Sequence, residues 1–209
     1  MTGRREGGRA VDDRLPFRAS SLSASYDGLS TVPVTVLLDN VRSIYNVGAF
    51  FRTADNAGVD EVVLCGITGL PEKALVLVGV LLRFGLPPRG AGRPPHPRLA
   101  KTALGAEQAV RWRWAGDPVE EIARLRERGV EVAALETDPR ATDLFDWQPR
   151  FPVCVVFGHE VDGVSEAARQ ACDTLVRVPT LGRKQSLNVA TAGGVVCYEL
   201  LRRYRALSK

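Results

Sequence analysis

Three short segments of this chain combine amide, hydroxyl, carboxylate and cationic side chains with glycine. They are Asn46–Arg52, Phe157–Gly163 and Gly182–Val189, and each comes after an apolar run that reads as a buried strand. In open α/β sheets, ligands bind outside the carboxyl ends of the strands, where such polar loops meet. The three segments therefore predict one shared site at a single edge of a sheet.

The first two segments each allow a functional and a structural interpretation. Gly48, near the start of a predicted helix, lets another molecule approach the backbone, and free N–H groups there favour anions. Arg52 follows Asn46 by less than two helical turns, so both side chains can face one end of the sheet; alternatively, Asn46 is a helix cap and Arg52 a surface cation. Gly158 again allows close backbone approach, and Glu160 is a base, an orienting acceptor or a turn residue.

The third segment contains Ser186 and Asn188 at the start of the last predicted helix. Both residues can cap that helix and can also position a ligand, because a cap side chain sits at the positive end of a helix dipole. The sequence contains neither the phosphate-loop motif nor the glycine-rich dinucleotide fingerprint, and no nucleophile elbow surrounds Ser165 or Ser186.

Composition and charge allow a polyanionic partner. The chain has 209 residues, 45% of them hydrophobic, a net charge of +4 and a pI of about 9.1, which fits one soluble domain. Its cations are clustered, and three clusters together favour nucleic acid as the partner. The clusters are Arg83, Arg89, Arg93, Arg98, Lys101, Arg111 and Arg113; Arg183 and Lys184; and Arg202, Arg203 and Arg205.

The cysteines and the apolar runs indicate a cytoplasmic protein. Cys65 and Cys154 lie in strand-like runs and no pair has metal-ligand spacing, so buried free thiols in a reducing compartment are expected. With two histidines in the chain, a zinc site is not expected. The N-terminus does not resemble a secretory signal, and the longest apolar run, residues 74–82, is shorter than a membrane span.

Strands and helices are predicted to alternate along the chain. Apolar runs predict strands at residues 34–38, 61–65, 130–135, 152–157 and 174–178. Helices are predicted at 47–57, at 117–129, after Ser165 and at 187–204. Such alternation predicts a parallel α/β sheet with helices on both faces. Residues 1–30 are expected to form a flexible extension before a domain at 31–209, with an insertion at about 70–95.

In this order and spacing, the three segments resemble the motifs of SpoU-type RNA ribose 2′-O-methyltransferases in the SPOUT superfamily. The matching positions are Asn46, Gly48 and Arg52; Phe157, Gly158, Glu160 and Gly163; and Val178, Pro179 and the run Ser186–Val189. Residues 96–105 also resemble a connecting segment of that family. The resemblance covers roughly residues 33–70 and 95–205.

The resemblance implies a fold, a cofactor and an assembly. The C-terminal part of the sheet would pass through a loop to form a trefoil knot, an exception to the usual unthreaded connections. S-adenosylmethionine would lie in this knot against Gly158, Val178 and Leu187. The protein would be a homodimer that transfers a methyl group to a ribose 2′-hydroxyl in tRNA or rRNA.

The resemblance also assigns roles to individual residues. Arg52 matches the catalytic arginine of the family; because a guanidinium is normally protonated, orientation and charge stabilisation suit it better than the role of base. Asn46 and Ser186 would hold the ribose and phosphate, and Glu160 and Asn188 would organise the pocket. The candidates for phosphate contacts are Arg111, Arg113 and Arg183.

Two alternatives remain at the level of sequence. One is a non-catalytic RNA-binding protein that retains the knotted fold, although the retained polar residues of the three motifs argue against it. The other is a methyltransferase for a base nitrogen, although the run Ser186–Asn188 favours ribose.

Overall fold

A single parallel sheet forms the centre of the protein. The computed structural model describes residues 31–71, 96–184 and 186–207. Its seven strands are arranged in the order β3-β2-β1-β6-β4-β7-β5. The strands are β1 (Val32–Asp39), β2 (Val59–Cys65), β3 (Arg111–Ala115), β4 (Glu131–Leu135), β5 (Thr142–Asp143), β6 (Val153–Phe157) and β7 (Thr174–Arg177), and the helices are α1 (Ile44–Ala57), α2 (Pro97–Ala103), α3 (Ala106–Ala109), α4 (Pro118–Glu127), α5 (Glu166–Ala171) and α6 (Val189–Leu207).

The register of the central strands places their carboxyl ends side by side. Leu38 of β1 pairs with Leu64 of β2 on one side and with Phe157 of β6 on the other. All the strand pairs are parallel, so the polar segments that follow these strands leave from the same edge. This register is what allows the loops after residues 39 and 157 to meet.

Helices cover both faces of the sheet, and each face has its own apolar core. On one face, Phe50 and Phe51 of α1 and Leu200 of α6 pack with Leu99 of α2 against the strands. On the other face, α4 and α5 pack against the alternate residues of the same strands, among them Ile122. The predicted fold class, a parallel α/β sheet with helices on both faces, is confirmed.

Local sequence signals set the ends of α1. Ser43 is its N-cap, and the Ser43 Oγ accepts a hydrogen bond from the backbone N–H of Asn46 at 3.4 Å. Gly58 follows the last turn with φ of 69°, the left-handed conformation that glycine adopts without steric cost, and its N–H reaches the carbonyl oxygens of Ala54 and Asp55. The helix therefore begins one turn earlier than predicted and ends where the sequence indicated.

Gly48 serves packing inside the protein. A Cβ at this position would lie 2.1 Å from Oγ1 of Thr102 and 2.5 Å from the carbonyl oxygen of Leu99, both on α2. The interpretation that Gly48 lets another molecule approach the backbone is therefore wrong, because α2 of the same chain occupies the space. Thr102 also donates from its Oγ1 to the carbonyl oxygen of Tyr45 at 3.0 Å. The contact fixes the start of α1 relative to α2.

The sequence did not predict strands β3 and β5. Residues 111–115 alternate arginine with tryptophan, a period of two that suits an edge strand, and Trp112 and Trp114 pack on the first apolar core. Ser165 stands at the predicted cap position of α5, but its hydroxyl does not cap the helix. It donates instead to Oδ2 of Asp39 at 2.9 Å.

Parts of the predicted domain organisation fall outside the described residues. The extension at 1–30 does so entirely, and the insertion at about 70–95 does so from residue 72 onward. The order of β6, β4 and β7 in the sheet is consistent with the predicted trefoil knot, which stays a prediction.

The cysteines are free, and no described helix is long and apolar enough to cross a membrane. Cys65, Cys154 and Cys197 are buried. Burial raises the pKa of the Cys197 thiol to about 12, so this side chain is a neutral thiol at physiological pH.

We expect Gly48→Ala to destabilise the protein by about 1–3 kcal/mol, because the added methyl group overpacks the contact between α1 and α2. Gly194→Ala is the matched control, since a Cβ at that helical position meets nothing within 4 Å. The control should be neutral or stabilising by up to about 1 kcal/mol, the helix-propensity gain of alanine. Urea denaturation measures the free energy of unfolding of both variants, and equal denaturation midpoints would contradict the packing role of Gly48.

Candidate active site

A chain of side-chain hydrogen bonds joins the three sequence motifs at the carboxyl edge of the sheet. Nδ2 of Asn46 donates to Oε1 of Glu160 at 2.8 Å. Nδ2 of Asn188 donates to Oδ1 of Asn46 at 3.2 Å, although the two residues are 142 positions apart. The Asn188 Oδ1 in turn accepts the backbone N–H groups of Ala190 and Thr191. Asn188 thus caps α6 and contacts the first motif simultaneously, as the sequence suggested it could.

Glu160 is held as an ionised acceptor. Besides the amide of Asn46, its carboxylate accepts the backbone N–H groups of Arg42 at 3.0 Å and Ser43 at 2.9 Å. Partial burial works to raise the pKa of Glu160, but the donation from Ser43 and Asn46 outweighs it and lowers the pKa below the ordinary value of 4.5. Of the three roles that the sequence left open, the contacts favour the orienting acceptor.

An elongated cleft of about 580 Å³ runs along this edge, and we call it the main cleft. Three loops form it: the loop after β4, the loop after β6 and the loop between β7 and α6. All three residues predicted to bind the cofactor line it, as do three of the predicted catalytic residues. These lining residues are Gly158, Val178 and Leu187, and Glu160, Ser186 and Asn188.

Gly158 makes a tight turn of the loop after β6 possible. A Cβ at this position would lie 2.0 Å from the backbone of Gly163 and Val164. The same turn is closed by two backbone hydrogen bonds of 2.9 Å between His159 and Gly163. A backbone segment therefore does approach Gly158 closely, as predicted. Within this chain, that segment belongs to the same loop.

Sequence reasoning missed two carboxylates that hold this loop. Oε1 of Glu136 accepts the backbone N–H of Val164 at 2.5 Å, and Glu136 also lines the main cleft. The buried carboxylate of Asp39 accepts both the backbone N–H and the hydroxyl of Ser165, at 3.0 and 2.9 Å. The signal was present, because each carboxylate stands at the end of a buried strand, as the recognised motifs do.

Arg52 lies outside the main cleft, on the solvent-exposed face of α1. The Cα of Arg52 lies six residues beyond that of Asn46, which is about 9 Å along the helix axis. Helical side chains lean toward the N-terminal end of their helix, which here is the end that carries Asn46. Within the described residues, the guanidinium of Arg52 forms no ion pair, so it is available to a ligand.

The three predicted phosphate-binding arginines occupy different surroundings. Arg183 is exposed in the loop between β7 and α6, next to the main cleft. Arg111 and Arg113 lie on edge strand β3, three strand spacings or about 14 Å from β6. Their guanidinium groups already form ion pairs: Arg111 with Asp60 and Glu61, and Arg113 with Glu61 and Glu121.

The C-terminal basic cluster is partly neutralised. Arg202 and Arg203 both contact the carboxylate of Glu199, each at 2.7 Å. Arg203 also donates to the carbonyl oxygen of Phe145 at 2.8 Å, which ties α6 to the turn after β5. This cluster therefore contributes less free positive charge than its sequence indicates.

The fold and the site define a class of protein: a parallel α/β protein whose main cleft is built from loops at one sheet edge. The sequence profile of the SpoU rRNA Methylase family matches residues 86–198. The chain belongs to this family, and the family predicted from the sequence is confirmed. Family membership also confirms the prediction that the chain is a methyltransferase.

Individual relatives agree with this assignment. A 23S rRNA (guanosine-2′-O-)-methyltransferase of Ralstonia nicotianae is 29% identical over 96% of this chain and 71% of the relative. A tRNA (guanosine(18)-2′-O)-methyltransferase of Thermus thermophilus is 33% identical over 81% of this chain and 74% of the relative. The AdoMet-bound rRNA methyltransferase structure from Sinorhizobium meliloti is 27% identical with a TM-score of 0.64, covering 81% of this chain and 56% of that one. Some relatives are longer; this chain spans 60% of one from Staphylococcus haemolyticus.

We expect Glu160→Gln to destabilise the protein by about 1 kcal/mol at neutral pH, since one of the donors around the side chain loses its acceptor. Because the folded-state pKa of Glu160 is lowered, its contribution is complete above pH 4.5 and is lost as the pH falls through the lower value. The difference in the free energy of unfolding between wild type and Glu160→Gln should therefore shrink in acid. Denaturant unfolding at neutral pH and well below pH 4.5 measures it.

Glu127→Gln is the control for this experiment, because Glu127 is exposed at the end of α4, away from the site. A Glu160→Gln variant that matches this control at both pH values would contradict the orienting role.

Proposed function

We propose that this chain transfers a methyl group from S-adenosylmethionine to a ribose 2′-hydroxyl in tRNA or rRNA. The observation that carries the proposal is the hydrogen-bonded chain of Glu160, Asn46 and Asn188, which brings the three motifs of the family to the rim of one cleft. The two relatives from Ralstonia nicotianae and Thermus thermophilus are 2′-O-methyltransferases by name, one for 23S rRNA and one for tRNA.

The main cleft fits the cofactor in size and chemistry. Its volume of about 580 Å³ is within the usual range of small-molecule sites, about 300–1,000 Å³. Apolar side chains for an adenine ring stand beside polar groups for ribose hydroxyls. The apolar members are Leu135, Val178, Leu187 and Ala192, and the polar members are Glu136, Thr137 and Thr180. When bound, S-adenosylmethionine supplies an electrophilic methyl group.

The residues of the chain then have to align the acceptor and assist loss of its proton. Alignment converts the encounter of the two reactants into an effectively unimolecular step. Asn46 and Ser186 hold the ribose and its phosphate, and the bond from Asn46 to Glu160 fixes which end of the Asn46 amide faces each neighbour. Glu160 acts as an orienting group, because a carboxylate with a lowered pKa that already accepts three N–H groups is a weak base.

Arg52 is proposed to orient the acceptor and stabilise the developing charge. Its guanidinium is normally protonated, so a neighbouring phosphate of the RNA accepts the proton of the 2′-hydroxyl or helps Arg52 to accept it. Arg183 contributes a phosphate contact beside the main cleft. Arg111 and Arg113 are proposed to contact phosphates of the RNA farther from the main cleft. Their contribution is smaller, because both already form ion pairs with carboxylates.

We also propose that the chain works as a homodimer in the cytoplasm. A large side chain on α6 supports an interface, because Tyr198 is 52% exposed. Tyrosine is enriched at protein–protein interfaces relative to the rest of protein surfaces. The four free cysteines support a reducing compartment.

We expect Arg52→Ala to lower the rate of methyl transfer by about 10²-fold or more, the usual loss when one group that stabilises developing charge is removed. Calorimetric binding of S-adenosylmethionine should stay unchanged, because Arg52 lies outside the main cleft. Arg128→Ala, an exposed arginine at the end of α4, is the charge-matched control. Near-normal turnover of the Arg52 variant would remove Arg52 from the mechanism.

The acceptor atom is tested by nucleoside analysis. RNA from a strain that lacks this protein is incubated with labelled donor and then hydrolysed in alkali. Ribose methylation blocks alkaline cleavage at the labelled site, because the 2′-hydroxyl is the nucleophile of that cleavage, so the label should appear in dinucleotides. Label in base-modified mononucleotides would contradict the ribose acceptor, and a wild-type protein that does not bind the donor would contradict the enzyme.

A further inference from the structure

A second cleft, of about 430 Å³, adjoins the main cleft at Glu160. We call it the arginine cleft, because its lining includes Arg42 from the loop before α1 and Arg98 from α2. Tyr45 forms part of the same lining. His159, Glu160 and Val161 line both clefts, so the loop after β6 is their common wall.

The arginine cleft is suited to an anion. Arg42 and Arg98 are both exposed, and within the described part of the chain neither guanidinium pairs with a carboxylate. The one carboxylate in the lining, Glu160, already accepts three N–H groups, which reduces its repulsion of an incoming anion. Two guanidinium groups at one concave surface are a common arrangement for phosphate recognition.

The positions of the two arginines are fixed by the fold. The backbone N–H of Arg42 donates to Glu160 at 3.0 Å. Arg98 lies on α2, and α2 is held against α1 by two features. Gly48 leaves room for the close approach of the two helices, and Thr102 of α2 donates a hydrogen bond to the carbonyl oxygen of Tyr45. A site whose backbone is already held in place loses less conformational entropy when a ligand binds.

Tyr45 adds a surface for a base. Its side chain is 44% exposed although it stands at the start of a packed helix. Stacking of a base on an aromatic ring is one of the main interactions by which proteins hold single-stranded nucleic acid. A phosphate site and an aromatic surface in one open cleft together match a nucleotide within a chain better than a free anion.

We propose that the arginine cleft binds the nucleotide that flanks the methylated ribose, with its phosphate on Arg42 and Arg98 and its base against Tyr45. The proposal rests on the proposed function, because it takes the acceptor that Asn46 and Ser186 hold at the rim of the main cleft to be RNA. The common wall explains how one strand reaches both places, since a strand that crosses residues 159–161 from the rim of the main cleft enters the arginine cleft. The cleft thereby selects acceptors that are unpaired next to the target.

The test measures RNA binding and donor binding separately in the full chain. The RNA probe is bulk tRNA, with an unstructured single-stranded RNA as a second probe, and both are titrated over a range of salt concentrations. Arg42→Ala and Arg98→Ala should each weaken binding about tenfold and lower the slope of log affinity against log salt by about 0.7. Tyr45→Ala should weaken binding about 5-fold or more with no change of slope, and Tyr45→Phe should restore it.

The controls separate this proposal from the proposed function. Arg128→Ala removes an exposed charge from the far side of the sheet and should leave RNA affinity unchanged. Donor binding by calorimetry should be equal in all of these variants. If the wild type methylates RNA and the Arg42 and Arg98 variants bind RNA as the Arg128 variant does, the arginine cleft proposal is overturned and the proposed function stands. If the wild type neither binds the donor nor modifies RNA, both are overturned.

Discussion

The site depends on the hydrogen bonds that run from Glu160 through Asn46 to Asn188. An asparagine amide has one donating and one accepting end, and the ionised carboxylate of Glu160 takes the donating end of Asn46. The accepting end is therefore left for Asn188, whose own oxygen caps α6. The pKa of Glu160 lies below the ordinary value of 4.5, so the carboxylate stays ionised into mildly acidic solution and keeps the orientation of these hydrogen bonds.

This interaction is possible because α1 is held from two sides. Gly48 brings α2 against α1, and Gly193 of α6 leaves room for the ring of Phe50, since a Cβ there would lie 2.2 Å from that ring. A side chain at either glycine would collide with the neighbouring helix, so the two glycines allow the close packing that holds α1 in place. The packing of one apolar core thus sets the position of Asn46 relative to Asn188, and with it the geometry of the main cleft.

The parts of the fold predicted correctly were those with strong local signals. Buried apolar runs identified five strands, and Asp117, Pro118 and Gly58 marked helix ends through capping and backbone preference. Strand β3 was missed because its arginines were interpreted only as surface charge, whereas Arg113 pairs with Glu61 and Glu121 in the folded protein. Glu61 is 52 positions from Arg113 and lies on the neighbouring strand, so no local pattern reveals this partner.

By itself, the sequence determined the fold class, the family and the set of polar residues that follow the strands, because strand and helix patterns and motif order are properties of the chain. Only the tertiary structure decided which groups meet. In the folded protein, Gly48 packs against α2 and the hydroxyl of Ser165 donates to Asp39. The carboxylate of Glu160 accepts backbone N–H groups of the loop before α1. The pairings of Ser165 and Glu160 depend on the register of β1 and β6, which brings residues more than one hundred positions apart within hydrogen-bonding distance.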